Sequence, residues 1–552
     1  MRTTRLAAWA VLYLGLAALG GCGGPSWPRA PQVVRGDPAA PRAALWQPEG
    51  EGNGRYLQLY RQGVKRSFYI DQDNDGLFEL LVDVDELDPA QVRWVFIYLD
   101  GVPYRQFREL YDEGHFRLFH PPAKMISTFP SITDIAFSTM YNIPGTSCYE
   151  SVVYDRVRND VRDGLEVYLG GRNELWASLV DYRQHRWLDA VGYIMPRFSG
   201  RREFGRMFGR AADILAERPE QQVVVIYTMA TDAINHTGQW HQARTMLLEL
   251  ERYIEELVYR QRGRLGVLLL SDHGNNFVQR CRRVDVQGAV ERAGLNARFN
   301  RGFRRPGDVV VLRYGLVSLV EAYCQSEADR QKLLEALVAT EGIEHVMWRV
   351  GENVRVAGLG GVAEIARRVE PSGRGAEEYF SYRRIQGDPL ELQGLLDGLA
   401  ARRFAGDAQA YYAAEELLLA TAGHVWPDPL WRIWHGLSDH PVVVPDVVAS
   451  MALGWYYGDT TLEQFSEING THGGLRDADT NTFFTTNLFA PPAVMRTAEV
   501  PAIINRHFPW VPRTVDPGQF GMQEYLTGPV TPAKVHPPVL ERRFGAGEQE
   551  NR

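Results

Sequence analysis

The chain has 552 residues, 45% of them hydrophobic, and its 60 Lys and Arg against 68 Asp and Glu leave a formal net charge of −8. That length exceeds one ordinary core, so a large catalytic domain carrying an insertion, or two domains, is expected. The mild acidity and dispersed basic residues exclude the concentrated positive face that sequence-specific nucleic-acid binding requires.

At the N-terminus, Arg2 and Arg5 precede an apolar run from Leu6 to Leu19 that closes on Gly20-Gly21-Cys22. The run has the layout of an export signal and is short for a membrane span. Leu19-Gly20-Gly21-Cys22 resembles a bacterial lipobox, which implies a signal peptide over 1–21, lipidation of Cys22, and a chain anchored to a membrane on the periplasmic side of the cell envelope. An ordinary cleaved signal peptide is the plainer alternative. Residues 22–54, rich in Pro, Gly, Ala and Arg, read as a tether, and 55–90 as an N-terminal β extension. Beyond Cys22 only Cys148, Cys281 and Cys324 remain, enough for one disulfide at most. No CxxC spacing occurs, so any metal should be held by carboxylate and imidazole.

In Asp71-Gln72-Asp73-Asn74-Asp75-Gly76 the alternating acids resemble the opening of a calcium loop, but Val82 stands where the bidentate Glu belongs. A turn between two strands is the better reading. Apolar runs at Val92 to Leu99, Val223 to Tyr227, Leu265 to Leu270, Val309 to Leu312 and Thr482 to Thr486 then read as buried strands. Helical segments alternate with them, the clearest being Gln242 to Gln261, where Met246, Leu247, Leu250, Tyr253, Ile254, Leu257 and Val258 recur on one face. This alternation predicts an α/β layered fold whose functional residues follow the carboxyl ends of strands. The predicted catalytic core covers 91–312 and 459–515. Between them, 313–458 breaks the pattern and reads as an inserted α+β cap, with 516–552 as a Pro/Gly-rich tail.

Polar clusters sit where that fold wants them. Asp100-Gly101 ends the first strand, although a lone Asp-Gly is ordinarily a turn. Thr231-Asp232-Ala233-Ile234-Asn235-His236 follows the second run and spaces carboxylate and imidazole by one helical turn. Ser271-Asp272-His273-Gly274 follows the third, and Gly470-Thr471-His472-Gly473-Gly474 precedes the last.

Together with Phe129-Pro130-Ser131-Ile132-Thr133, these clusters resemble the ordered motifs of the alkaline phosphatase superfamily, nearest its nucleotide pyrophosphatase/phosphodiesterase branch. The resemblance runs from about Val92 to Pro501. It implies a central β-sheet flanked by helices on both faces and two divalent metal ions, zinc by ligand type. Asp232, His236 and His472 would bind one, Asp100, Asp272 and His273 the other, and Thr133 would be the nucleophile between them. The bland reading of Thr133 is a helix cap, and Thr128, directly before Phe129-Pro130, is a rival nucleophile. The implied activity is hydrolysis of phosphate mono- or diesters, with nucleotides, lipid headgroups and glycans as candidate substrates. A phosphotransferase and a noncatalytic envelope lipoprotein are the alternatives. No Asn occurs in Tyr149 to Asp155, where diesterases of this kind often have one, and Thr133-Asp134-Ile135 does not fit a formylglycine sulfatase.

Ser438-Asp439-His440-Pro441 repeats the Asp-His pair, but it follows a Trp-rich amphipathic segment instead of a buried strand and is assigned to the cap. His115, His120, His185, His241, His424 and His435 have no comparable partners in sequence and read as packing, surface or substrate-contact residues. Trp426, Trp431 and Trp434 suit either packing or a substrate wall.

Overall fold

The computed structural model describes residues 80–510, apart from 142, 144–148, 150–151, 163–175, 177–178, 185–195, 373–374, 442 and 459–466, together with four earlier strands. Those strands, Gln32–Arg35, Arg42–Gln47, Arg55–Arg61 and Val64–Asp71, join Leu80–Asp83 in a five-stranded sheet ordered as in the chain. Part of the expected tether is therefore sheet. The short Val- and Leu/Trp-bearing runs pair antiparallel, while the Pro- and Gly-rich residues fall between them. Residues 72–79 of the acidic stretch lie outside the described residues, as do Cys22, Cys148 and His185. The strands before and after them in the chain pair antiparallel, with buried Val82 opposite Phe68.

The central sheet has six strands in the order Val223–Thr228, Arg93–Leu99, Leu265–Ser271, Asn481–Thr486, Ala123–Ile126 and Val494–Arg496. The first three are mutually parallel. Trp94 through Leu99 are all 0% exposed, so both faces of this strand are covered, which is why it reads as a continuous apolar run without alternation. Helices Pro196–Glu217 and Trp240–Arg260 pack together beside the Val223–Thr228 edge, and Tyr104–Asp112 packs on Asn481–Thr486. There Phe107 stacks on Phe483 with ring centroids 3.7 Å apart.

A second sheet of nine strands runs in the order Asn296–Phe299, Asp308–Val311, Leu319–Cys324, Val447–Met451, Ile343–Val350, Asn353–Gly358, Gly361–Ser372, Gly375–Gly387 and Tyr411–Ala413. The run Val309 to Leu312, placed in the catalytic core by sequence, belongs here: Asp308–Val311 pairs with Asn296–Phe299 and Leu319–Cys324. Four consecutive apolar residues fit a buried strand of either sheet, so the pattern does not choose between them. The second sheet thus takes in strands from Asn296 on, ahead of residue 313. Cys281 and Cys324 are buried free thiols.

Candidate metal centre

The three parallel strands deliver three of the polar clusters to one edge of the central sheet. Asp100 follows Arg93–Leu99, and Asp272-His273 closes Leu265–Ser271. Helix Ala230–Thr237, which starts two residues after Val223–Thr228, presents Asp232 and His236 one turn apart. Gly101 has φ +67°, and a Cβ there would stand 2.7 Å from Asp232 Oδ1, so glycine is what lets the Asp100 turn approach the second cluster. The loop carrying His472 closes the site from the far side, with a backbone bridge from His472 to Val317.

All six sequence-identified ligand residues converge. His236 Nε2 lies 3.2 Å from Asp232 Oδ2, and His472 Nε2 lies 3.7 Å from Asp232 Oδ1. His273 Nε2 is 3.3 Å from Asp100 Oδ1 and 3.5 Å from Asp272 Oδ2. The rings of His273 and His472 stack at 3.8 Å. Ligand atoms of Asp100, Asp272 and His273 fall within 4.8 Å of one another, matching the grouping the resemblance implies. The same spacing unites Asp232 and His472 with His273, where the resemblance has His236.

Orientation tests whether these groups suit metal ions. His236 Nδ1 is 2.9 Å from Gly470 O, His273 Nδ1 2.8 Å from Gly274 O, and His472 Nδ1 3.0 Å from Ser131 O. A carbonyl only accepts, so each Nδ1 carries the proton and each Nε2 faces the carboxylates. Metal-binding imidazoles are held in the same way. The electrostatics agree. Burial and then Asp232 push Asp100 up, and burial with Asp100 lifts Asp272 to about 7. Burial also opposes charge on His273, but Asp272 and Asp100 outweigh it and raise it to about 10. Three buried carboxylates competing for the same cationic partners are a set that divalent ions neutralise well. The residues fit.

Thr133 opens helix Thr133–Met140 as its first residue, the cap position being Ile132. Its Oγ1 donates to Asp100 Oδ1 at 3.3 Å and lies 3.3 Å from His273 Nε2. Thr128 turns away, donating 2.9 Å to Pro130 O. Of the two threonines, Thr133 is therefore the one whose hydroxyl meets the carboxylate and imidazole cluster.

Two supporting residues escaped sequence reasoning. The Tyr227 hydroxyl donates to Asp100 Oδ2, yet in sequence Tyr227 is one more apolar member of a strand. Arg432, 0% exposed on cap helix Pro429–Gly436, donates to Thr128 O at 3.0 Å, Ser131 Oγ at 3.0 Å, Leu475 O at 3.0 Å and Thr480 Oγ1 at 2.7 Å. One guanidinium thus ties the Thr133 loop to the loop following His472. Burial pushes it down to about 9, against Asp428 and Asp479, and it remains a cation at neutral pH.

No protein-family model and no curated protein matches this chain. Solved structures do, at low identity. Human ectonucleotide pyrophosphatase / phosphodiesterase 5 matches at 9% identity and TM-score 0.41, covering 78% of this chain and 99% of that one. Phosphonoacetate hydrolase from Sinorhizobium meliloti 1021, in complex with phosphonoformate, matches at 12% and 0.40, covering 76% and 96%. An inactive murine ectonucleotide pyrophosphatase / phosphodiesterase 5 in complex with AMP matches at 10% and 0.40, covering 77% and 98%. At such TM-scores and identities, what the site does is read from its own side chains.

Proposed function

We propose that the chain is a metal-dependent phosphate-ester hydrolase with Thr133 as its nucleophile. One observation carries this reading: Thr133 Oγ1 points at Asp100 and His273 within a buried set of three carboxylates and three imidazoles, every imidazole turned by a backbone carbonyl to aim Nε2 inward. Asp232, His236 and His472 would hold one divalent ion, and Asp100, Asp272, His273 and Thr133 the other. Bound there, two such ions, zinc by ligand type, supply charge neutralisation and a lowered pKa for the Thr133 hydroxyl.

The chain's own residues do the rest. Thr133 Oγ1 forms a bond to phosphorus as the bond to the leaving alcohol breaks, and water then attacks the phosphothreonine, releasing phosphate or a phosphomonoester and restoring Thr133. The first amides of helix Thr133–Met140 add positive potential beside the phosphoryl group. Arg432 and Tyr227 hold Thr133 and Asp100 in register. The substrate class is a small phosphate ester: a nucleotide, lipid headgroup or glycan. We assign the activity to the cell envelope, on the reading of residues 1–21 as a signal and Cys22 as a lipid anchor. Palmitate labelling that Cys22→Ser abolishes tests that assignment.

The functional test compares p-nitrophenyl phosphate with bis-p-nitrophenyl phosphate, with and without zinc, for the unsubstituted chain and Thr133→Ala. Zinc-dependent turnover lost in Thr133→Ala is expected, and the faster substrate assigns monoester or diester. Metal-free chain with no turnover of either substrate would sink the proposal in favour of a binding protein. Product transferred to an added alcohol in place of water would mark a phosphotransferase.

A further inference from the structure

The cap contains a second convergence of imidazole and carboxylate that phosphate-ester chemistry at Thr133 does not use. Helix Pro429–Gly436 ends one residue after His435, and the N–H groups of Ser438, Asp439 and His440 all donate to His435 O, at 3.2, 3.2 and 3.1 Å. This tight curl brings Asp439 and His440 back over the His435 side chain. Sequence reasoning gave His435 no partners, because its partners arrive through that turn and through a distant strand.

One ligand atom from each of His435, Asp439 and His440 lies within 4.8 Å of the others. The two imidazole rings are 5.5 Å apart and nearly parallel, at 24°. His435 Nδ1 faces both Asp439 oxygens, at 2.8 and 2.9 Å. Its Nε2 lies 3.3 Å from Glu378 Oε2, on strand Gly375–Gly387. Glu378 is itself anchored by Trp431 Nε1 at 2.9 Å and by Arg367 Nε at 2.7 Å. A carboxylate fixed by two donors, holding one ring nitrogen so that the other faces a carboxylate and a second imidazole, is the arrangement that orients a metal-binding histidine.

We propose that His435, Asp439 and His440 form a further divalent-metal site of the zinc class, with His435 coordinating through Nδ1 and Glu378 orienting it through Nε2–H. Two imidazoles and one carboxylate match zinc's preference for four-coordinate sites of nitrogen and oxygen ligands. Asp439 is exposed, so water can complete the set from the solvent side. An ion here fastens the 437–440 turn to the helix end, and through Glu378 to the second sheet. The site is separate from the Thr133 centre and does not depend on that centre being catalytic.

The test is a metal count on the full chain, loaded with zinc and dialysed, by elemental mass spectrometry. A chain with the Thr133 centre disabled by Asp232→Ala and Asp272→Ala is expected to retain one ion. His440→Ala in the otherwise unsubstituted chain is expected to lose one. Cobalt(II) substituted into the centre-disabled chain should give the visible absorption of a low-coordinate nitrogen/oxygen site, which His440→Ala removes. Where His440→Ala does not fold, Asp439→Asn, at an exposed position, serves in its place and should also lose the ion. A centre-disabled chain that folds but retains no metal and gives no cobalt spectrum overturns the proposal, leaving His435 as the middle of a charged hydrogen-bond network. A count unchanged by His440→Ala or Asp439→Asn overturns it equally.

Discussion

The central sheet and the second sheet carry their chemistry in opposite ways. Around the central sheet three of the four candidate clusters come at the end of a buried strand or at the start of the helix after it, so backbone topology gathers Asp100, Asp232, His236, Asp272 and His273 at one edge, while His472 arrives on a loop. In the cap the notable polar groups, Arg432 and His435, sit on one short helix and reach their partners sideways, into the Thr133 loop and onto strand Gly375–Gly387. The central sheet brings the carboxylates and imidazoles together; the cap ties the loops beside them. This difference teaches that the cap is part of the architecture of the proposed Thr133 centre, although none of the proposed ligands comes from it.

The largest effect should come from the centre. Thr133→Ala should lower kcat by about 10⁴-fold or more while shifting Tm little, since Ile132 and not Thr133 is the helix cap residue and the Thr133 hydroxyl's bond to Asp100 is a long one, 3.3 Å. Thr128→Ala, measured beside it, should cost stability of about 1 kcal/mol through its lost hydrogen bond to Pro130 and leave most turnover. The reverse ranking would move the nucleophile to Thr128.

Next comes the strut from the cap. Arg432→Lys cannot reproduce a fork that reaches Thr128, Ser131, Leu475 and Thr480 together. It should destabilise by about 3–5 kcal/mol and also lower kcat with KM little changed. Leu333→Ala, in the core of the second sheet, should destabilise by about 2–5 kcal/mol without that loss of kcat. Equal kinetics in the two variants would make the cap mere ballast.

These two tests also mark what was legible. Asp100, Asp232, His236, Asp272, His273 and His472 could be found because their clusters flank buried apolar runs in an order that matches a known set of motifs, although Asp100 or His472 alone reads as a turn residue. Arg432 could not, because an arginine on a Trp-rich amphipathic helix reads as a solvated face until the fold buries it. Tyr227 was hidden by its own apolar strand. Asp308–Val311 was assigned to the wrong sheet, since burial is visible in sequence and the partner strand is not.

Smaller effects sharpen the contrast. Tyr227→Phe removes the hydroxyl that fixes Asp100 Oδ2, and should weaken metal retention about 10- to 100-fold by competition with a chelator. In the second sheet, burial raises Glu364, but hydrogen bonds from Arg383 at 2.8 Å and Arg355 at 2.9 Å outweigh it and hold the carboxyl below its ordinary value. Asn353 also donates to it. A depressed folded-state pKa contributes stability that is present above the ordinary carboxylate range and is lost as pH falls through that range and below. Glu364→Gln should therefore lower stability at neutral pH by about 1–2 kcal/mol and flatten its acid dependence, with turnover unaffected.

The most direct measurement of the central claim is acid-quench peptide mass spectrometry of the zinc-loaded chain mixed with p-nitrophenyl phosphate or its diester. A phosphoryl or phosphodiester adduct on the peptide containing Thr133, absent from Thr133→Ala and from chelator-treated protein, is the predicted result. Turnover that persists in Thr133→Ala with no adduct on that peptide would contradict it.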